Sequence, residues 1–161
     1  MAATHVYRAD LAWTGSTAVG YRTYDRTHRV STPPATPELA VSSDPSFRGD
    51  PDVLNPEQLL LAAATSCQLL SFLALAARAG LDVVGYTDTA EALMPATRDR
   101  MRITAITLHP QIEIASAADL DVAAVEHLVH RAHEQCYIAN TLACEIVVAA
   151  TVTRVDTSRT S

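Results

Sequence analysis

The sequence contains no lysine, and all twelve of its basic residues are arginines. Any fixed positive charge in a functional site must therefore come from a guanidinium group, which stays charged and can bind two oxygen atoms at once. The chain also lacks a glycine-rich phosphate loop, a Gly-x-Ser-x-Gly nucleophile turn and a Cys-x-x-Cys pair. Because its net charge is −6 and no basic face is evident, we expect no nucleic acid partner.

With 161 residues, 48% of them apolar, the chain is predicted to form a single domain over residues 1–161. It has three cysteines and no evident signal peptide, so we expect a reducing, cytoplasmic location. Segment 59–77 is about as long as a membrane span. It is interrupted by polar residues, however, and is predicted to be a buried core helix, with no membrane as partner.

Hydrophobic patterns predict the order of the secondary structure elements. Strands are predicted at 6–13 and 17–24, joined by a turn at 14–16, and at 39–42. Asn55 and Pro56 are typical of a helix start and Gly80 of a stop, which predicts a long helix between them. Further strands are expected at 83–94, 101–115 and 145–155, with a second helix from 119 to about 135. Pro110 suggests an edge strand or a bulge. The order β-β-β-α-β-β-α-β predicts an α+β fold.

The long central helix is apolar on all sides, so it needs protein around its whole circumference. One sheet and one shorter helix would cover it only in part. A twofold homodimer that packs two such helices together is the simplest solution. Burial inside a large monomeric sheet is the alternative.

Cys67 lies about twelve residues into this helix, in the small polar cluster Thr65-Ser66-Cys67. A free thiol has a pKa of about 8.5, and only its thiolate is a good nucleophile. Apolar surroundings raise that pKa, and the charge at the helix terminus fades within the first turn. A reactive Cys67 therefore needs a cation, and the candidates are Arg22, Arg26 and Arg48. The alternative is that Cys67 is a small core residue.

Cys136, which ends the second predicted helix, is a candidate second thiol. A pair of this kind suggests that one cysteine is oxidised and the other resolves it. Cys144 is most simply a small buried residue, although it could compete with Cys136 for this role. His127, His130, His133 and Cys136 recur at every third position, but successive members rotate by about −60° around a helix and do not share one face. No metal site is predicted.

Glu57, in the first turn of the long helix, could orient an arginine through a two-pronged bond. Ten residues separate it from Cys67, or about 15 Å along the axis and 80° around it, so the two cannot touch within one straight helix. The alternative is an acid that is favoured by the helix dipole alone.

Two motifs together resemble the OsmC/Ohr family of osmotically inducible and organic hydroperoxide resistance proteins, in its OsmC-like branch. The first runs from Asn55-Pro56-Glu57-Gln58-Leu59 to Ala64-Thr65-Ser66-Cys67, and the second is Cys136-Tyr137-Ile138-Ala139-Asn140. The resemblance implies an α+β fold with a long buried helix, built as an intertwined homodimer. It implies a thiol-dependent peroxidase that prefers organic hydroperoxides and uses no metal, haem or other cofactor.

Carried over residue by residue, Cys67 matches the peroxidatic cysteine and Cys136 the resolving one. Glu57 matches an acid that pairs with an arginine from the N-terminal strands, for which Arg26 is the first choice and Arg22 the alternative. The resemblance also implies a lipoyl-type dithiol as reductant. A non-catalytic OsmC-like dimer that binds a small apolar ligand is the alternative function.

Overall fold

A computed structural model describes residues 4–97, 100–116 and 121–156 of the chain. The fold is α+β, as predicted, with three α-helices and nine strands among these residues. The chain separates after Leu60 into two compact units, which are described in turn. A single domain over 1–161 stays a prediction.

The first unit is built on a small antiparallel sheet of three strands. The strands are β1 (Asp10–Ala12), β2 (His28–Ser31) and β3 (Glu38–Val41), in the order β1-β2-β3. β3 agrees with the predicted third strand. The predicted hairpin around residues 14–16 is wrong, because Ala12 pairs with Arg29 and leaves a long connection between them.

The connection between β1 and β2 folds as turns rather than as a strand. A 3-10 turn occupies Thr17–Val19, and Gly20 ends it with a φ of 92°. A residue with positive φ cannot continue a strand, and glycine adopts that conformation without steric cost. The indole N–H of Trp13 donates to the carbonyl of Asp25 over 2.8 Å and closes the loop.

Helix α1 (Pro56–Arg78) begins and ends where the sequence predicts. At its start, the backbone N–H of Gln58 donates to the side chain of Asn55 (2.8 Å), and that of Asn55 donates to the side chain of Gln58 (3.0 Å). This reciprocal pair is a capping box. At its end, Gly80 has a φ of 70°, and the N–H groups of Gly80 and Leu81 bond back to Ala77 and Ala76. Together they form a Schellman motif.

The second unit contains two mixed sheets of three strands each. One has the order β4-β7-β9, formed by Val83–Asp88, Pro110–Ala115 and Thr151–Val155; the other has the order β5-β6-β8, formed by Glu91–Leu93, Ala105–Leu108 and Glu145–Val148. Each of the three predicted long strands is thus divided in two, and the register places the breaks side by side.

The break at His109 has visible causes. The backbone N–H of His109 donates to the side-chain carboxylate of Asp88, at the end of β4 (2.8 Å), instead of to a backbone carbonyl of a neighbouring strand. Pro110 follows as the first residue of β7. Proline is tolerated at the start of a strand, although it has no N–H to donate to the ladder. The expectation that Pro110 marks an edge strand is wrong, since β7 is the central strand of its sheet. The β4–β7 pair does contain a register shift, but it lies between Val83 and Gly85.

Helix α2 (Val122–Glu134) is capped by Asp121, whose carboxylate accepts from the N–H of Ala124 over 2.7 Å. The predicted start at residue 119 lies outside the described residues. A short third helix, α3 (Tyr137–Thr141), follows after a two-residue corner. The sequence patterns did not predict α3.

One face of α1 packs against two hydrophobic clusters of the second unit. The larger includes Phe72, Leu75 and Ala76 of α1 with residues of β7 and α2. The smaller joins Ala64 of α1 to β6. By length and composition α1 could cross a membrane, and 28% of its most apolar stretch is buried in the single chain, so the predicted burial is met on one face alone. Its other face is open in the single chain, where Leu70 is 63% exposed.

The C-terminal cap of α1 yields a stability prediction. Gly80→Ala should lower the free energy of unfolding by about 1 kcal/mol, because alanine is strained at positive φ. An added Cβ would meet no atom within 4 Å, so no steric clash contributes. Urea unfolding measures the loss, and Gly80→Asn is the matched control, since asparagine tolerates this conformation better. Equal stability of the alanine variant and the unmodified protein would contradict the prediction.

Candidate functional site

Cys67 lies in the middle of α1, partly buried, where it opens onto a pocket in the second unit. The packing of α1 sets the direction in which the Cys67 side chain points. The neighbouring Gln68 is buried, and its amide donates to the backbone carbonyl of Val129 in α2 over 3.2 Å. That bond ties the Cys67 region of α1 to α2.

Cys136 lies at the corner between α2 and α3 and is only 1% exposed. Its own N–H bonds to the carbonyl of His133, and its backbone then turns to an extended conformation as the N-cap of α3. The thiol makes no capping bond to α3. The side chain of Asn140 reaches back to the carbonyl of Glu134 (2.9 Å) and holds the corner closed.

The thiols of Cys67 and Cys136 lie close enough for each to shift the pKa of the other. Burial taken alone raises the pKa of the Cys67 thiol, because it penalises the charged form. Hydrogen bonds outweigh that effect. They come from the thiol of Cys136, the backbone N–H groups of Ile138 and Tyr137, and the hydroxyl of Ser71, and they leave the pKa of Cys67 below its ordinary value. Each of these donors is neutral.

Two of these donors come from the start of α3. The first N–H groups of a helix have no partner inside it, so they are available to another acceptor. In this chain the acceptor is the Cys67 sulfur, which receives the N–H groups of Tyr137 and Ile138. Ser71 follows Cys67 by four residues, which places both on one face of α1.

The pKa of Cys136 changes in the opposite direction. Burial raises its pKa first, and its hydrogen bond to Cys67 and the negative charge on that sulfur raise it further, to about 11. Of the two thiols, Cys67 is therefore the one that loses its proton more readily, while Cys136 keeps its own.

The pocket beside Cys67 has a volume of about 680 Å³ and is largely apolar. Its α1 wall includes Leu70, Ala74 and Leu75, and ends at Arg78. The facing wall comes from the α2–α3 corner, with Gln135, Tyr137 and Asn140. Cys67 is thus accessible to a small organic molecule, whereas Cys136 is buried behind it.

Arg26, in the first unit, is held by its own loop. Its guanidinium donates to the carbonyls of Tyr24 (2.9 Å) and Tyr21 (2.7 Å). The guanidinium carbon also lies 3.9 Å from the ring centroid of Tyr24 and 4.9 Å from that of Tyr21. The group is therefore fixed in position before any ligand arrives.

The remaining residues of the predicted site are Glu57, Arg22 and Arg48. Glu57 is partly buried in the first turn of α1, as predicted, and forms no ion pair with Arg26. Arg22 is exposed within the β1–β2 connection. Arg48 is exposed and has a positive φ of 68° at the end of a 3-10 turn.

Cys144 and the histidines of α2 lie apart from this arrangement. Cys144 is partly buried against the smaller hydrophobic cluster, beside residues such as Leu142 and Ile146. His127 and His130 are exposed, whereas His133 is partly buried. Within the described residues, no group of three His, Cys, Asp or Glu side chains could hold a metal ion.

The chain belongs to the OsmC-like protein family. The model of that family matches residues 49–151, which include Glu57, Cys67 and Cys136. The resemblance found in the two sequence motifs is thereby confirmed. Comparison with curated proteins gives no match.

Solved structures with the same fold cover almost the whole chain. An OsmC-like protein of unknown function from Vibrio cholerae is 25% identical, with a TM-score of 0.83 over 92% of this chain and 100% of that chain. An organic hydroperoxide resistance protein OsmC from Legionella pneumophila is 22% identical, with a TM-score of 0.70 over 94% and 99%. An organic hydroperoxide resistance protein from Elizabethkingia anophelis is 20% identical, with a TM-score of 0.68 over 96% and 100%. The predicted fold is confirmed.

The hydrogen bonds to Cys67 yield a prediction about pH. Because they lower its pKa, Cys67 should react with iodoacetamide at lower pH than a free cysteine does, and Cys136→Ala should move this profile to higher pH. Ser71→Ala should move it in the same direction by less. Peptide mass analysis of labelled protein gives the rate for Cys67 alone.

Thr65→Ala is the matched control, because the Thr65 hydroxyl bonds to the carbonyl of Ala62. It removes a hydroxyl from the same helix and should leave the profile in place. A Cys67 profile that does not move in Cys136→Ala would mean that the neighbouring thiol does not stabilise the thiolate.

Proposed function

We propose that the protein is a cysteine-based peroxidase that reduces organic hydroperoxides in the defence against oxidative stress. The Cys67 thiolate attacks the terminal oxygen of the hydroperoxide, the O–O bond breaks, and the alkoxide takes up a proton to leave as an alcohol. Cys67 is then a sulfenic acid. The thiol of Cys136 condenses with it, releasing water and forming a disulfide.

The observation that carries this proposal is the pairing of an accessible thiol of lowered pKa with a buried thiol of raised pKa. A structural cysteine in a core needs neither donors aimed at its sulfur nor a second thiol beside it. The largely apolar pocket favours an organic hydroperoxide over hydrogen peroxide.

The same contact supports a fixed order for the two steps. While Cys67 is negatively charged, its charge and its hydrogen bond keep the proton on Cys136. Oxidation to the sulfenic acid removes that charge, so Cys136 then loses its proton more readily. The resolving thiol thus becomes a better nucleophile once the first step has created its target, although its burial still raises its pKa.

We propose that a dithiol of the lipoyl type reduces the Cys67–Cys136 disulfide and is itself oxidised to a disulfide. Thiol–disulfide exchange of this kind requires a reducing compartment, which is consistent with the predicted cytoplasmic location. Every step of this cycle is a reaction of a thiol or of its oxidised form.

Arg26 is proposed as the cation that stabilises the reacting oxygens, and Glu57 as the acid that pairs with it. The two form no ion pair in this structure, in which the carbonyls of Tyr21 and Tyr24 hold the guanidinium. Support for Arg26 comes from its fixed guanidinium, because a group held in place before the reaction stabilises developing charge without reorganising. Donation to the two tyrosine carbonyls does not use all five of its N–H groups.

We also propose that the protein is a homodimer. Support comes from the open face of α1, where Leu70 and Leu73 are 63% and 37% exposed in the single chain. Apolar side chains along the middle of a long helix favour a partner surface over solvent. A second copy of the same helix would cover them through a twofold contact.

Substitution of each cysteine tests the proposed cycle. Cys67→Ser should abolish consumption of cumene hydroperoxide. Cys136→Ser should leave a sulfenic acid that dimedone traps and that over-oxidises on longer exposure, measured as added oxygen mass on Cys67. Cys144→Ser serves as the matched control and should still form the Cys67–Cys136 disulfide.

Turnover by Cys67→Ser at the rate of the unmodified protein would refute the peroxidase. Oxidation of Cys67 no faster than that of free cysteine in stopped flow would favour the non-catalytic, ligand-binding alternative. Loss of the disulfide in Cys144→Ser, with Cys136→Ser unaffected, would move the resolving role to Cys144.

The choice of arginine is tested by comparing matched variants. Arg26→Gln should lower kcat/KM on the order of 10²-fold, as expected for the loss of one preorganised donor. Arg22→Gln and Arg48→Gln carry the same chemical change and should have small effects. A large loss in either of those, with Arg26→Gln near normal, would reassign the cation.

A further inference from the structure

Two buried side-chain atoms near the reacting thiols have no hydrogen-bond partner among the described residues. They are Oε1 of Gln68 in α1 and Nδ1 of His133 in α2. Gln68 is 1% exposed, and His133 is partly buried. Gln68 follows Cys67 directly, and His133 precedes Cys136 by three residues. A buried polar atom without a partner is costly, because it has lost its bonds to water and gained none in return.

The two atoms belong to side chains on the same side of α2. The amide nitrogen of Gln68 donates to the carbonyl of Val129 over 3.2 Å. That carbonyl can only accept, so the orientation of the amide is fixed and its oxygen is left unpaired beside this turn. His133 follows Val129 by four residues, and a helical side chain leans back over the preceding turn. The His133 ring therefore lies on the side of α2 that Gln68 reaches.

The two atoms are chemically complementary. An imidazole with its proton on Nδ1 donates there, and an amide oxygen can only accept. In this structure, in which all three cysteines are free, they do not bond to each other. A disulfide between Cys67 and Cys136 draws α1 towards the α2–α3 corner, because bonded sulfurs lie nearer to each other than two thiols do. Gln68 moves with one sulfur and His133 with the other.

We propose that Gln68 and His133 form a hydrogen bond only in the disulfide state, and that this bond stabilises the Cys67–Cys136 disulfide. They are positioning residues, which act on the balance between dithiol and disulfide. A bond gained only on oxidation lowers the reduction potential of the pair. This inference rests on the disulfide of the proposed cycle. Gln68 lies on the buried face of α1, so a second copy on the exposed face around Leu70 leaves the bond unaffected.

The test measures the reduction potential of the Cys67–Cys136 disulfide in a Cys144→Ser background, so that no third thiol competes. Diamide forms the disulfide by taking up the two thiol hydrogens, without a hydroperoxide. The protein is then equilibrated with dithiothreitol buffers of known potential, and mass analysis after alkylation gives the oxidised fraction. His133→Phe keeps a ring and removes the donor. It should favour the dithiol about fivefold and so raise the potential by about 20 mV, as expected for one neutral hydrogen bond.

Three comparisons separate this bond from a general loss of stability. His127→Phe makes the same change at an exposed position of α2 and should leave the potential unchanged. Gln68→Met should raise the potential, and His133→Phe added to it should have no further effect, since the partner is already missing. The iodoacetamide profile of reduced Cys67 should not move in His133→Phe, because the bond is absent from the dithiol state.

A crystal structure of the oxidised, unmodified protein gives a measurement that needs no variant. Nδ1 of His133 should lie within hydrogen-bonding distance of Oε1 of Gln68, and a wider separation would refute the bond. If diamide forms no Cys67–Cys136 disulfide, the proposed cycle fails, and this inference with it. If the disulfide forms but His133→Phe shifts its potential no more than His127→Phe does, the hydrogen bond is refuted and the cycle stands.

Discussion

The chemistry of the candidate site depends on the hydrogen bonds that lower the pKa of one thiol, that of Cys67. A thiolate in the middle of an apolar helix is stable only where donors replace the water that it has lost. Here Cys136, Ser71 and the first amides of α3 supply them. The α2–α3 corner must therefore lie beside α1, and the bond from Gln68 to α2 helps to hold it there. The electrostatics of the site follow from how the helices pack.

The sequence predicted the elements whose signals are local. The ends of α1 follow from Asn55 and Gly80, because a cap is formed by residues a few positions apart. The strands were less predictable. The β1–β2 connection turns at Gly20, and the long strands divide at His109 through a carboxylate that is distant in sequence. Alternation of apolar residues continues across such a break and does not reveal it.

In the candidate site, too, features with a local signal could be predicted from the sequence, and features that depend on distant residues could not. The two thiols could be singled out from their motifs, and Ser71 had a usable signal, because it follows Cys67 by four residues on a helix. The amides of Tyr137 and Ile138 had none. Their role depends on a helix of five residues and on the direction in which its free N–H groups point. Side-chain patterns indicate only the arginine candidates, because backbone donors leave no signal in a sequence; the role of Arg26 stays a proposal.

The side-by-side breaks in the strands have a mechanical meaning. They divide the second unit into two cores, one around Phe72 and the other around Ala64, and both include α1. Cys67 is on the stretch of helix between them. A slight bend of α1 at that point would change the separation of the two sulfurs while each core stays intact. In the proposed cycle, the disulfide would therefore form at the joint between the cores, where neither half needs to unfold.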